Sequence, residues 1–211
     1  MAIDQKQIRN FTAFNLSAPP LDGGTKRSSL LFSERGGFPR ITVFFGENLN
    51  RGNIYAPMDL TGMLYLLDNL ITLCSEEKGT KRIMSCSNMA YDQNGQREVV
   101  KVADVYYGKD DEGVMWISLV DKRKEAPKIK FEFEFNKFIG IYDKEGKEVT
   151  DKGLLSTLAC KAKCEALKKL YVDASMNVNL TVQQQKQMEP PPLEFAVSKA
   201  ASPSTLDEIM F

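Results

Sequence analysis

The chain has 211 residues, 43% of them hydrophobic and 27% charged, with 28 basic and 28 acidic side chains and no histidine. That composition excludes a fibrous or wholly disordered chain and leaves room for one domain with a real core, or one domain and a tail. No window reaches the ~18 consecutive apolar residues of a membrane helix, and MAIDQKQIRN lacks the apolar core of a signal peptide, so a cytoplasmic protein without membrane contact is expected.

Residues 1–27 mix polar side chains with Pro19-Pro20 and Gly23-Gly24 and read as an arm before regular structure. SSLLFS (28–33) and PRITVFFG (39–46) read as strands joined through the glycines of ERGGF. Between Pro57 and Cys74 the period changes: Leu60, Met63, Leu64, Leu67, Leu70, Ile71 and Cys74 fall on one face of an amphipathic helix. Four further strands are read at 81–91, 97–108, 113–121 and 128–143, and their short turns predict an antiparallel meander. A second helix follows over 152–172, with Leu155, Leu158, Ala159, Ala162, Ala166 and Leu170 on its apolar face. Leu66 and Leu73 on the first helix, and Cys160, Cys164, Leu167 and Tyr171 on the second, form extra apolar sets, from which a homo-oligomer is expected. From Asp173 onward QQQKQ, PPP and Ser/Ala/Pro replace all periodicity, so 28–172 is expected to be the folded domain and 173–211 a flexible linker and tip.

Several chemistries fall away early. Without histidine the commonest general base and the Ser/His and Cys/His pairs are missing, and the carboxylates are scattered with no DxD or ExxE cluster. Cys74, Cys86, Cys160 and Cys164 show no CxxC spacing, so neither a zinc site nor a disulfide framework is expected. LDGGTKRSS lacks the spacing and preceding strand of a phosphate loop and reads as a glycine turn. The expectation is a binding protein, not an enzyme, with no cofactor and no metal.

Charge and aromatics say what it binds. The 173–211 segment holds Lys186 and Lys199 against five acids, a net −3, which leaves the body at +3. Alternation puts Phe131, Phe133 and Phe135 on one strand face, as core, and Ile41, Val43 and Phe45 opposite Arg40, Thr42 and Phe44. Phe44, Tyr107 (at even spacing from Lys101) and Trp116 (opposite Met115, Ile117 and Leu119) are candidate surface aromatics. Lys26, Arg27, Arg35, Arg40, Arg51, Lys81, Arg82, Lys122, Arg123, Lys124 and Lys128 sit mainly at turns and strand ends, where long side chains line a groove rim. Basic residues interleaved with aromatics suit single-stranded nucleic acid, because cations track phosphates and bases stack on rings.

The chain closes on LDEIMF, with Asp207 and Glu208 beside Ile209, Met210 and Phe211. A sheet body, a Gln/Pro/Ser linker and an acidic, Phe-ended tip resemble bacterial and phage single-stranded-DNA-binding proteins. The tip departs from the usual one in having two acids only and no proline before the final Phe. More closely, the whole chain resembles the single-stranded-DNA-binding proteins of podoviruses that carry their own early RNA polymerases. The resemblance implies DNA binding without base specificity, self-association, and a role in phage replication or in exposing template for the phage polymerase. It also implies a tip that docks on replication or transcription partners or competes with DNA. The implied architecture is α+β and Whirly-like, strands then a helix, twice; an OB-fold-like barrel is the alternative. A phage inhibitor of a host enzyme and a metal-dependent nuclease are the competing functions.

Overall fold

The computed structural model describes residues 8–21, 24–35, 37–46, 53–91, 95–123 and 127–176. Five strands come first, β1 (Ile8–Asn10), β2 (Leu16–Pro20), β3 (Arg27–Arg35), β4 (Phe38–Phe44) and β5 (Ile54–Pro57), and α1 (Leu60–Leu73) follows. Then come β6 (Lys81–Tyr91), β7 (Arg97–Lys109), β8 (Met115–Asp121), the two-residue β9 (Phe131–Glu132) and α2 (Lys152–Met176). The order is strands then a helix, twice, in two antiparallel sheets, and neither sheet closes into a barrel. The fold is α+β.

In sheet 1, β3 is central: β4 pairs along one edge, and β1 and β2 share the other, Asn10 opposite Ser33 and Leu16 opposite Leu30. A single 3-10 turn at Thr12–Phe14 separates those two short strands. Ile8–Asn10 and Leu16–Pro20, within the segment expected as an arm, are therefore sheet. Pro19 and Pro20 hid this in the sequence, but an edge strand tolerates proline because one side of its backbone needs no ladder partner. Sheet 2 is the expected meander β6-β7-β8-β9, except that the long strand read over 128–143 pairs only at Phe131 and Glu132.

One core serves both sheets. Leu30, Phe32, Ile41 and Val43 of sheet 1 join Val105, Ile117, Leu119 and Phe131 of sheet 2 in a single buried cluster. β5 lies against β6, β7 and β8, and β2 lies against β9. The helices pack on each other, α1 reaching β4 and β7 and α2 reaching β8. Asp59 starts α1 by accepting a hydrogen bond from Gly62 N at 2.6 Å, and Asp151 does the same for α2 from Leu154 N at 3.0 Å, each satisfying one of the unpaired amides of a first helical turn.

The helix faces correct the sequence expectation. Leu66 and Leu73 are fully buried, as are Cys160, Cys164, Leu167 and Tyr171, so these positions are core and are not the surface from which an oligomer was expected. In α2 the side read as apolar is only partly buried: Ala159 is buried and Leu155, Ala166 and Leu170 are half-buried, but Leu158 and Ala162 are exposed, while Cys160, Cys164 and Tyr171 hold the centre. Tyr171 Oη donates to Ser33 O at 3.2 Å, and its ring meets Phe11 edge-on at 4.9 Å, which ties α2 to β3.

Candidate nucleic-acid interface

Each sheet turns one face to the shared core; the other face is covered at its centre, at Leu31, Ser33 and Thr42 on sheet 1 and at Tyr106, Trp116 and Ser118 on sheet 2, and the two differ in what they leave open. In sheet 1 the register puts Ser33 opposite Arg40, Arg35 opposite Phe38, Ser29 opposite Phe44 and Thr42 opposite Tyr55, all pointing away from the core. Phe38 and Phe44 are 46% and 39% exposed, large for phenyl rings that could have been buried. Tyr55 lies between two guanidinium groups, with Arg40 at 5.3 Å and Arg123 at 4.9 Å from its ring centroid. Arg123 is fixed there by a two-pronged pair with the buried Asp121 carboxylate, Nε to Oδ1 at 3.0 Å and Nη2 to Oδ2 at 2.8 Å. That pairing holds the Arg123 pKa above its ordinary value.

Arg40 has no such partner. Burial first, then repulsion from Arg35, push its guanidinium below the ordinary value, and the Tyr55 oxygen opposes them. Among the described residues no ion pair links Arg27, Arg35 or Arg40 to a carboxylate, and the strand positions of this face carry no acid. The result is a surface of unneutralised arginines interleaved with open rings.

The outer face of sheet 2 has the same residue types in a different state. Asp104 is 1% exposed and accepts from Lys101 Nζ at 2.9 Å, Lys122 Nζ at 3.0 Å and Ser85 Oγ at 2.7 Å. Burial pushes this carboxyl up, but those three hydrogen bonds outweigh it and hold it below the usual carboxylate range. Lys130 bridges Asp110 at 2.7 Å and Glu132 at 3.3 Å, and Lys152 holds the other oxygen of Glu132 at 2.8 Å. Tyr106 and Trp116 pack together with Val120 and are 3% and 2% exposed. Gly108 lets the chain at Thr80 and the Trp116 ring come close: a Cβ there would meet Thr80 O at 2.4 Å and the Trp116 ring at 3.3 Å.

The residues singled out from sequence divide between these faces. Arg27, Arg35, Arg40, Phe44 and Arg123 gather on or beside sheet 1, with Lys26 exposed just before β3. Lys101, Trp116 and Lys122 belong to sheet 2, together with the exposed Lys81 at the start of β6. Arg82 turns to the end of α1, where Asn69 and Glu76 take its guanidinium at 2.7 and 2.5 Å. Lys128 is exposed ahead of β9. Tyr107 is corrected: it is core, not surface. A bulge shifts the β6–β7 register between Cys86 and Ser87, so Lys101 shares its face with Asp104 and Tyr106, and Tyr107 faces inward. Trp116 stands on the side expected but shows no free ring face. Arg51, Lys124 and the tip Asp207, Glu208, Ile209, Met210 and Phe211 lie outside the described residues.

Phe38 and Tyr55 were missed. Phe38 sits at the end of a glycine turn and Tyr55 in a four-residue strand, too short for alternation to show. Comparison with protein-family models, with curated proteins and with solved structures gives no match. Among the described residues no helix is long and apolar enough to cross a membrane.

Proposed function

We propose that this chain is a sequence-independent single-stranded-DNA-binding protein of phage replication or transcription, and that the outer face of sheet 1 carries the strand. The observation that supports the reading most is the pairing of Arg27, Arg35 and Arg40, none neutralised by a carboxylate among the described residues, with the exposed rings of Phe38 and Phe44. Arginines held near one another without counter-charge cost electrostatic energy in the free protein, and a phosphate backbone removes that cost. Open phenyl rings offer stacking to any base, which gives affinity without sequence preference. Arg123, its charge already taken by Asp121, is stacked on Tyr55 and props that ring at the edge of this surface. In this reading the tip Asp207–Phe211 competes with DNA for the basic face or recruits a polymerase or replication partner, the role that its resemblance implies.

The test is a salt titration of binding to mixed-sequence oligonucleotides, followed by fluorescence anisotropy with no added metal. Three to four phosphate contacts predict a slope of log K against log salt of about −2 to −3 on single strands, with similar affinity for different sequences of one length. Equal or tighter binding to duplex, or no binding at low salt, overturns the reading. Degradation of the oligonucleotide once a divalent cation is added would favour the nuclease instead.

A further inference from the structure

Between β9 and α2 the chain makes two tight turns that hold apolar side chains out into water. Asn136 closes the first, accepting from Ile139 N at its backbone oxygen (2.8 Å) and from Phe138 N at Oδ1 (3.1 Å). Asp143 closes the second, its Oδ1 accepting from the amides of Glu145 and Lys147 at 2.9 Å each, and Val149 N donates to Ile141 O at 2.8 Å. So fixed, Phe138 is 83% exposed, and Tyr142 and Ile139 are 63% and 54% exposed. On the first turns of α2, Leu154 and Leu158 are exposed as well.

Beside this knob is a hole. A cleft of about 290 Å³ opens between the turns and α2, floored by Phe133, Ile141, Val149 and Leu155. Its polar lining carries both signs, Lys137 and Lys152 beside Glu134 and Glu148, with Lys152 already paired to Glu132. Mixed charge does not suit a phosphate backbone or an acidic peptide, each of which calls for a surface of one sign. It suits a surface that meets its own copy, where Lys137 faces a glutamate. A protruding ring and an apolar cleft side by side on one surface are also what a two-fold contact requires, because each copy then supplies the knob for the other's hole.

We propose that a second copy of this chain docks here about a two-fold axis, each Phe138 entering the cleft of the other and each Lys137 facing Glu134 and Glu148 across the contact. With aromatics contributing about 150–250 Å² each when fully covered, the five exposed side chains supply on the order of 1,000 Å² over two copies, near the lower bound of a specific interface. This surface is separate from the basic face of sheet 1, so the proposal stands or falls independently of DNA binding.

Light scattering coupled to gel filtration of the full chain tests it. Wild type should run at twice the 23.7 kDa of one chain, or as an even-numbered assembly built from that pair. Phe138→Asp should halve the mass at micromolar concentration with an unchanged circular-dichroism spectrum. Phe138→Ser, which adds no charge, should weaken the pair at least tenfold and serves if the Asp variant misfolds. A wild-type monomer up to about 100 μM, or an unchanged mass in either folded variant, overturns the proposal. Phe211→Ala in the full chain should leave the mass unaltered; if it changes the mass as Phe138→Asp does, the tip is the occupant and the two-fold contact is wrong.

Discussion

The outer faces of the two sheets are built from the same residue types and offer opposite things. On sheet 2 Lys101 and Lys122 are both held by Asp104, and the rings of Tyr106 and Trp116 are sealed against each other. On sheet 1 the strand positions of the outer face hold no acid, Arg35 and Arg40 repel, and Phe38 and Phe44 stand in water. Counting basic and aromatic residues does not distinguish the faces. What distinguishes them is whether each charge already has a partner and whether each ring is already covered.

The sharpest way to break this comparison is to remove one ring from each face. Trp116→Ala should cost about 3–5 kcal/mol of stability, the usual loss for a buried large aromatic, read as a fall in the denaturation midpoint. DNA affinity of the surviving folded protein should stay the same. Phe44→Ala should do the reverse, leaving the midpoint unmoved and weakening single-strand binding by about 1–3 kcal/mol if the ring stacks on a base. Stability loss at Phe44 together with binding loss at Trp116 would invert the assignment of the two faces.

Charge gives the next effect. Arg40→Gln and Arg35→Gln should each weaken binding roughly tenfold or more, as expected for a hydrogen bond to a charged group, and each should flatten the salt slope by about one phosphate. Because the two arginines repel, losing Arg35 should not destabilise the fold. Lys101→Gln should barely change binding, since that cation is already engaged.

How much of this was legible in the sequence depends on the range of the forces involved. The Leu60–Leu73 helix follows from local periodicity, although of the face read from sequence only Met63, Leu67 and Leu70 are buried; of the inward strand sets Ile41, Val43, Phe131 and Phe133 are buried, while Phe45 and Phe135 are half-buried. The outward direction of Arg40 and Phe44 follows from the same alternation. The position of Tyr107 did not, because a single inserted residue in β7 reverses the parity that alternation relies on. In α2 the core stripe runs through Cys160, Cys164 and Tyr171, residue types that carry less weight than leucine in a periodicity count, while Leu154 and Leu158 stay wet. The pairing of Lys101 and Lys122 with Asp104 was out of reach, since it joins β7 to the end of β8 through a register that only the folded sheet sets.

Asp104 offers a smaller effect that sharpens the contrast by converting one face toward the other. Asp104→Asn frees two lysines on sheet 2, so single-strand affinity at low salt should rise several-fold, at a cost in stability from the lost charge-assisted bonds. In the wild type the folded carboxyl titrates below its unfolded value near 3.9. Its stabilisation is therefore complete above about pH 4 and is lost as pH falls further through the folded value. The variant should lack that part of the acid dependence, and an unchanged acid-unfolding curve would count against the two-lysine clamp.

The thiols give the smallest effect and a control on all the others, because both outer faces rest on one shared core. Cys74, at the end of α1, is half-buried, its thiol donating to Leu70 O at 3.3 Å and Thr157 O at 3.6 Å, and the neighbouring Cys160 thiol, with help from Lys109 and Lys161, outweighs burial to hold its pKa below the ordinary value. Cys86, on the inner side of β6, is pushed up to about 11 by burial and then by the Asp104 charge. Burial raises Cys160 well above the ordinary value too. Only a thiolate attacks iodoacetamide, so near pH 8 Cys74 should be alkylated first, by at least tenfold over the other three. The same single modification should appear in the Phe44, Arg35 and Arg40 variants, whose changes lie outside the core. In Asp104→Asn the nearby charge is gone and the Cys86 pKa should fall, yet the side chain stays buried, so its labelling should quicken only slightly. Labelling of Cys86 as fast as Cys74 in that variant would mean that the clamp holds β6 onto the core, and that the two faces are not independent.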